Sequence, residues 1–101
     1  MKSPAEIALD MLLQVGVRAN DVFATADLDF IASRARQGGA SRRQAVAAAA
    51  PEAVARLVRL FEHNAQARAD ATAFRAKPDL ATQPGGKSVL IAYLLVDAAL
   101  G

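Results

Sequence analysis

A chain of 101 residues with 53% apolar and 22% charged residues has material for one core and too little for a multi-layer enzyme. With no cysteine, disulfides, thiolate metal sites and a cysteine nucleophile are excluded. His63 is the only histidine, so a histidine-based metal site or catalytic triad cannot be assembled within one chain.

The apolar fraction argues against disorder. Roughly a quarter of the residues are alanine, the best helix former, while β-branched and aromatic residues are few, so the expected fold class is all-α. Nine of the twelve basic residues are arginine, and alanine with arginine is also what GC-rich coding produces. The net charge of +2 is unevenly spread. Residues 1–30 carry Lys2 and Arg18 against Glu6, Asp10, Asp21, Asp27 and Asp29, a net −3. Residues 31–76 hold eight arginines against Glu52, Glu62 and Asp70, a net +5. Such asymmetry either marks a partner surface or is neutralised within the fold.

Ser3-Pro4-Ala5-Glu6 is a capping box with proline at the first helical position. The helix it opens runs to about Gln14 and ends near Gly16. Its polar stripe of Glu6, Asp10 and Gln14 is narrow, so it is expected to be buried on more than one side. A connection with a short turn near residues 21–23 follows. Thr25 or Asp27 can cap a second helix, with Leu28, Ile31, Ala32 and Ala35 on its apolar face and Gly38-Gly39 as its stop. Ser41-Arg42-Arg43-Gln44 reads as a second capping box, opening a helix to about Ala50. Pro51 restarts the chain, and Val54, Leu57, Val58, Phe61, Ala65 and Ala69 repeat at helical spacing towards Pro78, with Glu52 and Arg56 paired on the outer face. Residues 64–76 hold no large side chain until Phe74, so they are expected to pack thinly, protrude, or lie against another chain. Residues 78–86, with Pro84-Gly85-Gly86, read as a loop. The final run, residues 89–100, is apolar all round except for Tyr93 and Asp97, which suits a helix enclosed by others. Tyr93 is expected to be a core aromatic, with Asp97 as its partner or as part of a polar rim.

Three stretches carry functional resemblances. Ala81-x-x-x-x-Gly86-Lys87-Ser88 resembles the relaxed Walker A pattern, whose amides, lysine and serine would hold a nucleotide's phosphates and its Mg²⁺. No apolar strand precedes it and only thirteen residues follow Ser88, so the sheet that such a loop requires is missing. Gly85-Gly86 resembles the processing site of double-glycine leader peptide precursors, although the product, residues 87–101, would contain no cysteine or threonine. Residues 31–50 resemble a helix-turn-helix core, with small Ala35, turn glycine Gly39, Ala40, and Ser41 capping the second helix. Arg34 and Gly38 stand where that motif usually has apolar residues. The resemblance implies Arg42, Arg43 and Gln44 at an exposed helix start, suited to phosphate and base contacts, with Arg34, Arg36 and Lys87 as further phosphate contacts. The competing reading is a capped helical hairpin with a solvated arginine pair. His63, between Glu62 and Asn64, reads as solvated rather than catalytic.

The expectation is therefore one helical domain spanning residues 1–101. It is a bundle of four to five helices at about 4–15, 26–37, 42–50, 51–76 and 87–100, with the apolar C-terminal helix at its centre and packed on the first. The expected function is a small non-enzymatic binding module without cofactor or metal. DNA is slightly favoured as its partner; the alternative is a protein-interaction module (an adaptor, inhibitor or antitoxin-like partner), dimeric through surplus apolar helix surface. No secretory signal is visible, and the tail run is shorter than the ~20 residues of a membrane span, so no membrane association and a cytoplasmic location are expected.

Overall fold

In the computed structural model, which describes residues 3–77 and 87–101, seven helices run in chain order: α1 (Pro4–Gln14), α2 (Ala19–Val22), α3 (Thr25–Ala35), α4 (Gly39–Ala49), α5 (Pro51–His63), α6 (Ala65–Arg75) and α7 (Lys87–Leu100). No strand occurs among the described residues. The all-α bundle expected from composition is what forms, with more and shorter helices than the periodicity suggested. The Walker-like and double-glycine stretches fall largely on residues 78–86, outside the described residues; only Lys87 and Ser88 of them lie within, in the first turn of α7.

Helix α7 is the axis of the molecule. Val89, Ile91, Ala92, Leu94, Leu95, Val96 and Asp97 are all buried, and α1, α2, α4, α5 and α6 pack around them. A helix that is apolar on every face has no stable position except one surrounded by other helices, which is why the tail occupies the centre. Around it stand Ala8, Met11 and Leu12 of α1, Phe23, Ala45 and Val46 of α4, Leu57 and Phe61 of α5, and Ala67, Ala71 and Phe74 of α6.

Local chemistry fixes the helix ends. The Glu6 amide donates to the Ser3 hydroxyl at 3.2 Å, as the first capping box requires. At the other end of α1, Gly16 takes φ 77°, its amide reaches the Leu13 carbonyl, and the Val17 amide reaches the Leu12 carbonyl at 2.8 Å. This is a Schellman closure, and Leu12 and Val17 are both buried beside it. In α3 the residue before the helix is Ala24, and Asp27 caps by accepting from the Ala24 amide at 3.0 Å.

Three local expectations are corrected. Residues 51–76 are two helices, because the Asn64 side chain accepts from the Ala67 amide and starts α6 as a new helix. The break shifts the register, so α6 buries Ala67, Ala71 and Phe74 against the bundle in place of Ala65 and Ala69, and it neither protrudes nor packs thinly. Helix α4 begins at Gly39, a turn earlier than the Ser41 cap predicted; its cap is Gly38 at φ 122°, ψ 171°, and Ser41 lies inside the first turn. That backbone conformation is accessible essentially to glycine alone. Arg56 reaches back to the Val15 carbonyl at 3.4 Å, joining α5 to the end of α1.

Helix α3 stands apart. It packs chiefly on α4 and buries only Ile31, while Ala32 and Ala35 of its expected apolar face are exposed. Every residue from 32 to 40 is exposed, so the α3–α4 corner projects from the bundle.

Candidate functional site

The six residues expected to contact nucleic acid do not form one surface. Arg42 and Arg43, in the first turn and a half of α4, turn towards α7 and meet Asp97. Arg42 Nη2 lies 2.8 Å from Asp97 Oδ2, and Arg43 Nη1 lies 3.8 Å from Oδ1. Arg75, from the last turn of α6, brings its Nε to 2.8 Å from Oδ1 and donates through Nη2 to the Gly101 carbonyl at 3.0 Å. Three helices thus converge on one carboxylate that is 2% exposed.

The cause is electrostatic. A carboxylate in an apolar helix interior loses its hydration, and only charged or hydrogen-bonding partners replace that loss. Arginine suits the task because its planar fork offers several donors and its stem packs against apolar surface. The Arg42 guanidinium lies 5.7 Å from the centre of the Tyr93 ring, which in turn meets Phe74 edge-on at 5.9 Å. Tyr93 is half-buried, as expected of a core aromatic. Asp97, in contrast, is neither Tyr93's partner nor a polar rim: it is the buried anchor for arginines 55 and 22 positions away in the chain.

Arg34 and Gln44 lie together elsewhere. They line a cleft of about 210 Å³ between α3 and α4, with Phe30, Ser41, Ala45 and Ala48. Phe30 is 42% exposed, and the Arg34 guanidinium sits 5.3 Å from the centre of its ring. Arg36 is exposed at the end of α3, and Lys87 is exposed at the start of α7. On α4 the exposed residues are Gly39, Ala40, Gln44 and Ala48, so Gln44 is the only long side chain on that face. In the helix-turn-helix register the turn glycine is Gly39, yet the positive φ belongs to Gly38 and Gly39 is already helical.

The remaining candidates are modest. Exposed His63 bonds through Nδ1 to the Arg59 carbonyl at 2.8 Å, within its own helix. Ser88 donates to Asn20 Oδ1 at 2.8 Å, tying the start of α7 to α2. A larger groove of about 570 Å³ runs between α1 and α2, lined by Leu9, Leu12, Leu13, Val17 and Ala19 among others, and Leu13 is 63% exposed beside it. Among the described residues no group of three or more His, Asp or Glu is placed to hold a metal ion, and no helix is long and apolar enough to cross a membrane.

Asp97 and Arg75 were not among the expected site residues. The signal for Asp97 was present: it is the only acidic residue in an otherwise apolar run, and a carboxylate in that position demands buried partners. Nothing local in the sequence identifies which arginines answer it. Comparison with protein-family models, with curated proteins and with solved structures finds no match.

Proposed function

We propose that the protein is a non-enzymatic binding module for another protein, presenting the α3–α4 hairpin as its binding face, with an acidic amphipathic helix as the partner element. The observation that carries this reading is the packing of α3. It buries a single residue, Ile31, and leaves Phe30 42% exposed at a cleft floored by Ala45 and Ala48. An exposed aromatic in a cleft bordered by small apolar and polar residues is the usual anchor point of a protein interface. Charge supports the choice of partner: residues 31–50 contain Arg34, Arg36, Arg42 and Arg43 and no carboxylate. Helix-in-groove recognition would set an apolar side chain of the partner beside Phe30 and its acidic residues against Arg34 and Arg36.

DNA is the second reading, favoured by the same run of four arginines on a two-helix hairpin. It is weakened by the engagement of Arg42 and Arg43 with Asp97 and by the short side chains on the exposed face of α4. One titration separates the two. Fluorescence anisotropy is followed with a helical peptide carrying Leu and Glu at i, i+3 and i+4 spacing, with its Lys-for-Glu counterpart, and with a labelled DNA duplex. Binding of the acidic peptide alone, lost in Phe30→Asp, supports the protein-interaction reading. Self-association in analytical ultracentrifugation that Phe30→Asp abolishes supports it too and names a second copy as the partner. Duplex binding that falls steeply with salt and drops in an Arg34→Ala, Arg36→Ala variant transfers the function to DNA. Absence of all three overturns both readings.

A further inference from the structure

We propose that the cluster of Arg42, Arg43 and Arg75 around Asp97 is an oxyanion site, built to take a phosphate-type tetrahedral dianion at the junction of α4, α6 and α7. Three guanidinium groups stand around the one Asp97 carboxylate, with Arg75 also bonded to the Gly101 oxygen, so positive charge is in excess at this point of the surface. Like charges held this close repel one another, and a second anion relieves that repulsion. The arginines are reachable, since their side chains are 28%, 30% and 31% exposed although the carboxylate beneath them is closed off.

Donors remain for such an anion. Arg42 commits its Nη2 to Asp97, and its Nε is buried without a hydrogen-bond partner, so the Arg42 donors open to an anion are those on the exposed part of its fork. Arg43 stands 3.8 Å from Asp97, beyond hydrogen-bonding distance, so its attraction to the carboxylate leaves its fork open. Both α4 arginines also pack along neighbouring surface. Arg42 lies over Tyr93, and Arg43 lies against Gly39, where a Cβ would come within 3.2 Å of its Nη1. Planar arginine forks gathered around a common point match a tetrahedral oxyanion through paired N–H donors, which lysines of equal charge do not. Asp97 therefore has two roles here: it collects the guanidinium groups, and it limits how tightly the added anion binds.

That second role gives the test its sign. Inorganic phosphate is titrated by isothermal calorimetry against the wild type, Arg43→Ala and Asp97→Asn, with sodium chloride at matched ionic strength and acetate as controls. Arg43→Ala is the primary variant because Arg43 makes no short bond to Asp97, so the fold does not depend on it. One phosphate is expected per chain, weakened about tenfold or more by Arg43→Ala, the equivalent of one charge-assisted hydrogen bond. Asp97→Asn keeps an oxygen acceptor for the arginines while removing the competing charge, so it is expected to bind phosphate more tightly than the wild type. Phosphate that behaves like chloride overturns the proposal. So does acetate binding as tightly as phosphate, or phosphate binding that Arg43→Ala leaves unchanged.

Discussion

Replacing Asp97 by alanine removes the one carboxylate on which three helices converge, and the structure sets the size of the effect. Arg42 donates to it in a hydrogen bond of 2.8 Å, of a kind worth about 1.5–3 kcal/mol, and Arg75 forms a second close ion pair at 2.8 Å. Breaking a buried pair from one side costs about 3–5 kcal/mol when the orphaned charge stays buried. Here the arginines are about 30% exposed and can swing into water, so the lower end applies, about 3 kcal/mol. For a domain of this size that loss lowers Tm by about 12 °C or more. The partners should rank by geometry. Arg42→Ala and Arg75→Ala each cost about 2 kcal/mol: Arg42 loses its bond to Asp97, Arg75 loses its ion pair there and its bond to the Gly101 oxygen, and each change leaves the carboxylate a remaining partner. Arg43→Ala costs below about 1 kcal/mol, because a 3.8 Å contact from a partly exposed side chain has the value of a surface pair. Urea and thermal denaturation followed by circular dichroism measure all four. The reasoning is refuted if Asp97→Ala stays within about 1 kcal/mol of the wild type, or if Arg43→Ala is as costly as Arg42→Ala.

The other expectations concern packing and caps. Leu95→Ala empties a fully buried position at the centre of α7 and should cost about 2–5 kcal/mol in urea denaturation, whereas Leu13→Ala, at 63% exposure, should stay within about 0.5 kcal/mol. Gly38→Ala places a side chain at φ 122° with nothing within 4 Å of its Cβ. Its cost of about 1–3 kcal/mol is therefore purely conformational, and hydrogen exchange should locate the loosening in the α3–α4 hairpin. Asn64→Ala removes the cap of α6 and should lower stability by about 1 kcal/mol, with amides 65–67 exchanging fastest.

The parts of the fold that the sequence revealed are those written in local chemistry. The first capping box, the glycine stop after α1 and the central position of α7 each follow from a few neighbouring residues. The α5–α6 break was harder to see, because alanines at Ala65, Ala67, Ala69 and Ala71 give no contrast between faces; Asn64, a residue type that caps helices, was the available signal. The start of α4 was misplaced because Ser41-Arg42-Arg43-Gln44 satisfies the capping-box pattern, while Gly38 begins the helix by backbone conformation alone. The candidate site was the least legible. Arginines in a first helical turn read as solvent-facing, and only the long-range packing of α4 on α7 turns Arg42 and Arg43 towards Asp97. Arg34 and Gln44 were identified as site residues, but Phe30, the one large apolar side chain lining their cleft, was not, because Ile31 and Leu28 already accounted for the helix face.

The arginines of the α3–α4 hairpin divide between a buried anchor, where Arg42 and Arg43 meet Asp97, and an exposed binding face that carries Arg34 and Arg36. Amide chemical-shift mapping during titration with the acidic amphipathic peptide tests this division most directly. The largest shifts are expected on Phe30, Arg34, Ser41, Gln44 and Ala48, with the Arg42–Asp97 pair intact. Shifts centred on the α1–α2 groove at Leu9 and Leu13, or a peptide that releases Arg42 from Asp97 in order to bind, would contradict it.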